Sequence, residues 1–196
     1  SRDEIVRRYL KALVDFRMER IEESTVSKID SLMKQLGLSI EDRRCITAAK
    51  EKAQKTGRPA AAIELNDGTI ITGKTSDLLG AMSACLLNAL KYLAGISDRV
   101  YLLPKAIIEP ICDLKTKDLG GHNPRLHTDE TLIALAISAI TNPLAELAMA
   151  QLPKLRGAQS HTSVILSQVD DSTLRKLGID HTSDAVYGSK KLYHAK

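Results

Sequence analysis

Hydrophobic residues recur at helical spacing through the first part of the chain, with charged residues between them. The pattern predicts three helices: one over residues 5–16, one capped by Ser24 and ended by Gly37, and one opened by Ser39. Acidic residues in the first turn of the third helix and lysines near its end suit the helix dipole. We therefore expect a helical segment over residues 1–57.

From Pro59 onward the pattern becomes extended and then alternates between short strands and helices. Asn66-Asp67-Gly68 separates two extended runs, residues 60–65 and 69–72, which predicts a β-hairpin. A long apolar helix is expected over residues 78–94. The later predictions are strands over 100–103, 163–167 and 186–187 and helices after Pro104, over 128–140, after Asn142 and over 170–177. This alternation favours an α/β domain over residues 58–196, with α+β left open.

Charge and composition narrow the classes of partner. The net charge is +4 without any basic run, and only 3% of the residues are aromatic, which argues against a nucleic-acid partner. The longest apolar stretch, residues 132–140, is too short to span a membrane, so no membrane partner is expected.

Cysteine usage and the first residues bear on location. Cys45, Cys85 and Cys112 lie far apart and form no CxxC pair, which argues against zinc or disulfides and favours the cytoplasm. No cofactor and no metal are predicted. The chain opens Ser-Arg-Asp-Glu without an initiator Met, which suggests a domain or a fragment of a longer protein.

Residues 68–75 match the P-loop pattern GxxxxGK[ST] between a strand and a helix. On this pattern Gly73, Lys74 and Thr75 would bind a nucleotide, and the chain would be a nucleotide-binding hydrolase domain. A phosphate cradle, however, needs consecutive amides folded into a tight nest, whereas the four β-branched residues 69–72 favour an extended chain. We favour the hairpin and keep the P-loop as the alternative.

The densest polar segment, residues 120–130, precedes a helix. Capping and the helix dipole explain its last three residues, but they do not explain the histidines and the arginine before them. An arginine beside a helix N-terminus suits a phosphate or carboxylate. The candidate anion-binding residues are Arg125, His127, His122 and Asn123, with His161 as a neighbour that precedes the strand over 163–167. A capped helix start with a solvated loop is the simpler interpretation, and no catalytic residue is assigned.

The hairpin and the long helix after it are similar to the opening of cytidine-deaminase-like domains. Those domains place a zinc ligand and a catalytic Glu at the start of that helix, where this chain reads Met82-Ser83-Ala84-Cys85. No His-x-Glu and no Pro-Cys-x-x-Cys is present, so the zinc ligands are missing. We expect a layered α/β domain of deaminase-like topology without the zinc site.

Six segments, in order, resemble one bacterial family: PAAAIELNDG (59–68), TGKTSDLLG (72–80), IEPI (108–111), NPRLHTDE (123–130), QLPKL (151–155) and VILSQ (164–168). They look like the C-terminal half of proteins in the family called domain of unknown function eighteen-forty-six. The resemblance implies a module of a larger cytoplasmic protein of unknown activity, which would contact its own N-terminal half and associate with further copies.

The function we expect combines these observations. Residues 131–140 are apolar on nearly every face of the predicted helix, which suits burial in the core or against a second subunit. We therefore expect a C-terminal module that contributes oligomer contacts and half of a small-anion site.

Overall fold

The computed structural model describes residues 1–188, which form a mixed α/β fold. Its helices are α1 Arg2–Arg17, α2 Glu23–Gln35, α3 Arg44–Thr56, α4 Ala81–Ala94, α5 Lys105–Asp113, α6 Thr128–Ser138, α7 Pro143–Met149 and α8 Gln168–Leu177. Its strands are β1 Ala60–Glu64, β2 Ile70–Lys74, β3 Gln159–Thr162 and β4 Asp180–Ser183. Short helical turns occur at Ile40–Asp42 and Leu152–Leu155, and a π-helical turn, Leu114–Asp118, follows α5.

The four strands form one sheet in the order β2-β1-β3-β4. The predicted hairpin is confirmed, since β1 and β2 pair antiparallel, and β1 also pairs antiparallel with β3. The strands β3 and β4 pair in parallel and are joined through α8. The α/β class is confirmed, while the cytidine-deaminase-like topology stays a prediction.

Helices cover both faces of the sheet. On one face, Cys45 and Ala49 of α3 pack with Ala62 of β1. On the other face, Ala61 and Ile63 join the main core, which includes the apolar side of α4. The helical segment thus packs directly on the sheet, and the division at residue 57 stays a prediction.

Three of the predicted strands are wrong. Residues 100–103 and 186–187 lie outside the strands of the described chain, although Leu102 and Leu103 are buried. Residues 163–167 form a loop that leads into α8, and the strand lies just before them. The strands β3 and β4 are polar, so their composition did not predict buried strands. Their hydroxyl and imidazole groups can be buried because each finds a hydrogen-bond partner that the fold supplies.

Three predicted helix starts are also wrong. Ser39 caps the short turn Ile40–Asp42, and α3 itself begins at Arg44. Ser24 lies inside α2, which begins at Glu23. The helix expected from residue 78 begins at Ala81, after Gly80. The Ser76 hydroxyl accepts hydrogen bonds from the amides of residues 78 and 79 in a separate turn.

Candidate functional site

The P-loop segment is part of the hairpin. Gly73 and Lys74 of β2 pair with Ala61 and Ala60, and the Thr75 amide donates to the Pro59 carbonyl at 2.8 Å. The segment therefore forms a strand instead of a phosphate cradle. The structure does not favour the nucleotide-binding alternative.

Close packing explains the glycine of this segment. A Cβ at Gly73 would lie 2.4 Å from the amide nitrogen of Cys85 in α4. The backbone of α4 thus approaches β2 at a distance that only glycine permits. The matching pattern reflects packing of a helix on a strand.

The loop over residues 120–130 is held by internal hydrogen bonds. The Arg125 Nε donates to the Ser76 carbonyl at 2.6 Å, and the Arg125 amide donates to Asn123 Oδ1 at 3.1 Å. Lys115 Nζ lies 2.8 Å from Glu130 Oε1. His122 is exposed to solvent. The guanidinium of Arg125 is therefore partly engaged within the protein.

His127 precedes α6 and connects it to α8. Its Nδ1 lies 3.5 Å from Asp170 Oδ2, and this hydrogen bond raises the pKa of His127. Asp170 Oδ1 accepts from the amide and the hydroxyl of Thr128 at 2.8 and 2.7 Å. Burial opposes the ionisation of Asp170, but the hydrogen bonds from His127 and Thr128 lower its pKa overall. These contacts fasten the start of α6 to α8.

His161 lies within β3 and is completely buried, so its predicted position ahead of a strand is wrong. Its Nδ1 is 2.8 Å from Thr182 Oγ1, and its Nε2 is 3.1 Å from Asp184 Oδ1. Burial lowers the pKa of His161, although Asp184 opposes this effect. Within residues 1–188, no hydrogen bond or ion pair joins His161 to residues 120–130. The anion site at these five residues stays a prediction.

A cleft of about 350 Å³ lies between α1, the loop before α8 and the strand β4. Its basic lining residues are Arg7, Arg8, Lys11 and Arg20, and its acidic ones are Glu4, Asp15 and Asp171. The three residues 181–183 of β4 line it from the sheet, and Ser167, which caps α8, lies beside them. The cleft is thus next to the carboxyl end of β3, where ligands bind in many sheets with parallel strands.

A hydroxyl and imidazole network lies at the sheet side of this cleft. The His181 Nδ1 is 2.7 Å from Ser160 Oγ, and its Nε2 is 2.9 Å from Ser183 Oγ. Thr162 Oγ1 completes the network at 3.2 Å from His181 Nε2 and 2.9 Å from Ser183 Oγ. Burial lowers the pKa of His181 to about 3, so the ring is neutral at pH 7. A base this weak, hydrogen-bonded to hydroxyls, suits recognition of polar groups better than proton abstraction.

The other face of β3 and β4 is fixed by Arg43, whose side chain is fully buried. Its Nε donates to Thr182 Oγ1 at 3.1 Å, and its Nη1 donates to Asp3 Oδ1 at 2.9 Å. Its Nη2 donates to the carbonyls of Ser160 and Asp180. This arginine joins the helical segment to both polar strands.

Sequence reasoning missed His181, Ser183 and Arg43. A usable signal was present, because Ser160-His161-Thr162 and His181-Thr182-Ser183 are two runs of the same three residue types. Neighbouring strands of this composition can satisfy each other by hydrogen bonds across the sheet.

Comparison with known proteins places the chain in a family. A model described as domain of unknown function DUF1846, C-terminal, matches residues 41–193. The chain belongs to this family. The resemblance seen in the sequence is therefore confirmed.

The relatives are bacterial proteins. A UPF0371 protein of Streptococcus pyogenes serotype M5 (strain Manfredo) is 49% identical over 193 residues, which cover 98% of this chain and 39% of the relative. A UPF0371 protein of Streptococcus uberis is 48% identical over the same length and share. The chain thus spans about two fifths of the length of these relatives.

In the part of the chain that the structure describes, no helix combines the length and the apolar character that crossing a bilayer requires. The cytoplasmic location stays a prediction.

Proposed function

We propose that this chain is the C-terminal module of a longer cytoplasmic protein and that the cleft between α1 and β4 is its part of a binding site for a small organic anion, a carboxylate or a phosphate. The proposal rests on one observation: four basic side chains and the polar strand β4 line the same cleft. A volume of about 350 Å³ suits a small molecule.

The basic side chains differ in how firmly they are held. Arg7 is half-buried and lies 3.1 Å from Asp3 and 3.4 Å from Asp180. Arg8 and Lys11 are 70% and 75% exposed, and each pairs with a carboxylate of its own helix. Exposed ion pairs contribute at most about 1 kcal/mol, so an anion can replace these carboxylates at little cost. Arg7 would orient the ligand, and the exposed side chains of Arg8 and Lys11 would form ion pairs with it.

The sheet side of the cleft supplies groups for the rest of the ligand. Both ring nitrogens of His181 are engaged within the network, whereas the Ser183 hydroxyl has two partners and can form one further hydrogen bond. This favours a ligand that combines an anionic group with hydroxyl or carbonyl groups. We place the ligand here and not at residues 120–130, because Arg125 and His127 already bind Ser76 and Asp170.

Isothermal titration calorimetry with inorganic phosphate and with succinate at low ionic strength tests the proposal. We expect millimolar binding by the wild-type chain. The double variant Arg8→Ala, Lys11→Ala should bind at least tenfold more weakly, which corresponds to roughly 1.4 kcal/mol of binding free energy. Binding by the wild type should also weaken as salt is added, because salt screens the basic side chains. The control is Lys34→Ala, which removes an i,i+4 ion pair with Asp30 from an equally exposed lysine on α2. That variant should bind like the wild type.

A part-site could bind only in the longer protein, so the titration is repeated with a full-length relative that carries the same substitutions. Absence of binding in both proteins would refute the proposal. Equal loss of binding in the Lys34→Ala control would show that the effect depends on overall charge instead of the cleft.

A further inference from the structure

We infer that a second copy of this chain covers an apolar surface on α6 and α7. Five side chains form this surface: Ile133, Ile137, Ile140, Leu144 and Leu147, which are 58%, 63%, 80%, 38% and 50% exposed. Between Ile133 and Leu147, Glu146 is the one charged residue, although 27% of the chain is charged. A helix that faces water normally carries charges on its outer side.

The five side chains follow one another at helical spacing. Ile133 and Ile137 are four residues apart on α6, Leu144 and Leu147 are three apart on α7, and Ile140 lies between the helices. Such neighbours lie on one face of a helix. The inner faces of the same helices, with Leu135 and Ala148 among others, are buried in the main core. Both sides of α6 and α7 are therefore apolar, and only one is covered.

The area of the surface fits contact between two copies. From the exposed fractions, the five side chains present roughly 550 Å² per copy and roughly 1,100 Å² per pair, which reaches the lower limit of about 1,000 Å² for a specific interface. In a two-fold dimer a surface meets itself, and an apolar surface is complementary to itself.

This inference is independent of the proposed cleft. The helix α6 packs on α8, whose first residues line the cleft, but none of the five apolar side chains lines it. The dimer would leave the cleft lining unchanged, so failure of one proposal does not decide the other.

Sedimentation velocity over a wide range of protein concentration tests the inference. We expect a monomer–dimer equilibrium for the wild type and at least a tenfold higher dissociation constant for Ile137→Glu, because each copy would bury a charge, and a tenfold change corresponds to about 1.4 kcal/mol. Ile140→Glu at the 80% exposed position should act in the same way and cannot disturb the core. The control is Leu119→Glu, which places the same charge at a 73% exposed leucine elsewhere.

A monomeric wild type at every concentration would overturn the inference, and so would a dimer that both glutamate variants leave intact. An experiment with the full-length relative distinguishes a second copy from the remainder of the same polypeptide as the partner of this surface. A monomeric full-length protein whose α6 and α7 are nevertheless protected from hydrogen exchange would show that the remainder of the polypeptide covers them, which also overturns the inference.

Discussion

Gly73 sets the distance between β2 and α4. A Cβ at this position would lie 2.4 Å from the Cys85 nitrogen and 2.7 Å from the Cys85 Cα, both of them backbone atoms. Only a shift of the helix could make room, and such overpacking costs about 1–3 kcal/mol. We predict that Gly73→Ala lowers the free energy of unfolding by that amount, as measured by urea denaturation followed by circular dichroism.

Gly80 provides the matched control for this substitution. Its φ is −66°, and a Cβ there would lie 3.6 Å from the Leu126 carbonyl oxygen, which is ordinary contact. Gly80→Ala should therefore change the stability little. If Gly73→Ala unfolds at the same urea concentration as the wild type, the close approach of α4 to β2 is not as described.

Among single residues, the sequence predicted the glycines at helix ends best. The helical segment expected to stop at residue 57 and the helices expected over 78–94 and 170–177 end where predicted. Gly57, Gly95 and Gly178 end them with a left-handed backbone, which glycine adopts without strain. The roles of Arg43 and His181 could not be predicted in this way. Their environment depends on residues far along the chain, as the 139 positions between Arg43 and Thr182 illustrate.

At the scale of elements, Arg43 connects the turn before α3 with α1, β3 and β4. Its guanidinium donates four hydrogen bonds, two of them to backbone carbonyls of the polar strands. Without this side chain, the Ser160 and Asp180 carbonyls and the Thr182 hydroxyl lose one donor, although Ser160 and Thr182 keep a hydrogen bond to each other. A buried group left unsatisfied costs about 1–3 kcal/mol. We predict that Arg43→Ala lowers the free energy of unfolding by at least about 2 kcal/mol, as measured by urea denaturation.

The neighbouring arginine is the control for this prediction. Arg44 is 61% exposed and forms a surface ion pair with Glu64 at 3.2 Å. Exposed pairs contribute about 0–1 kcal/mol, so Arg44→Ala should have a small effect. Equal effects of the two substitutions would mean that Arg43 does not hold the strands together.

Local signals predicted some elements and failed for others. The hairpin β1–β2 was predicted correctly because Asn66-Asp67-Gly68 determines a turn by its own conformational preferences. The strand over residues 163–167 was wrong because its apolar residues resemble a buried strand, whereas the polar residues 159–162 occupy the sheet. Polar strands become stable in a core only when a partner strand supplies hydrogen bonds.

At the scale of the whole molecule, the helical segment and the sheet depend on each other. The helix α3 covers Ala62 of β1, and Arg43 binds both polar strands. We predict that a fragment of residues 58–196 does not fold cooperatively, because one face of its sheet would be open to water. A fragment of residues 39–196 keeps α3 and should fold, as seen by urea denaturation followed by circular dichroism.

The family match begins at residue 41, just before α3, in agreement with this expectation. Cooperative unfolding of the 58–196 fragment at the urea concentration of the intact chain would instead support an independent domain that begins at residue 58.

The sequence by itself determined where several helices stop, the hairpin, the α/β class and the family, because turn preferences, helical periodicity and segment order are properties of neighbouring residues. Only the tertiary structure decided which polar segments join the sheet, where Arg43 and His181 find their partners, and that basic residues of α1 face β4 across a cleft. The physical reason is that the cost of burying a polar group depends on its hydrogen-bond partners, and here those partners lie on different elements brought together by folding.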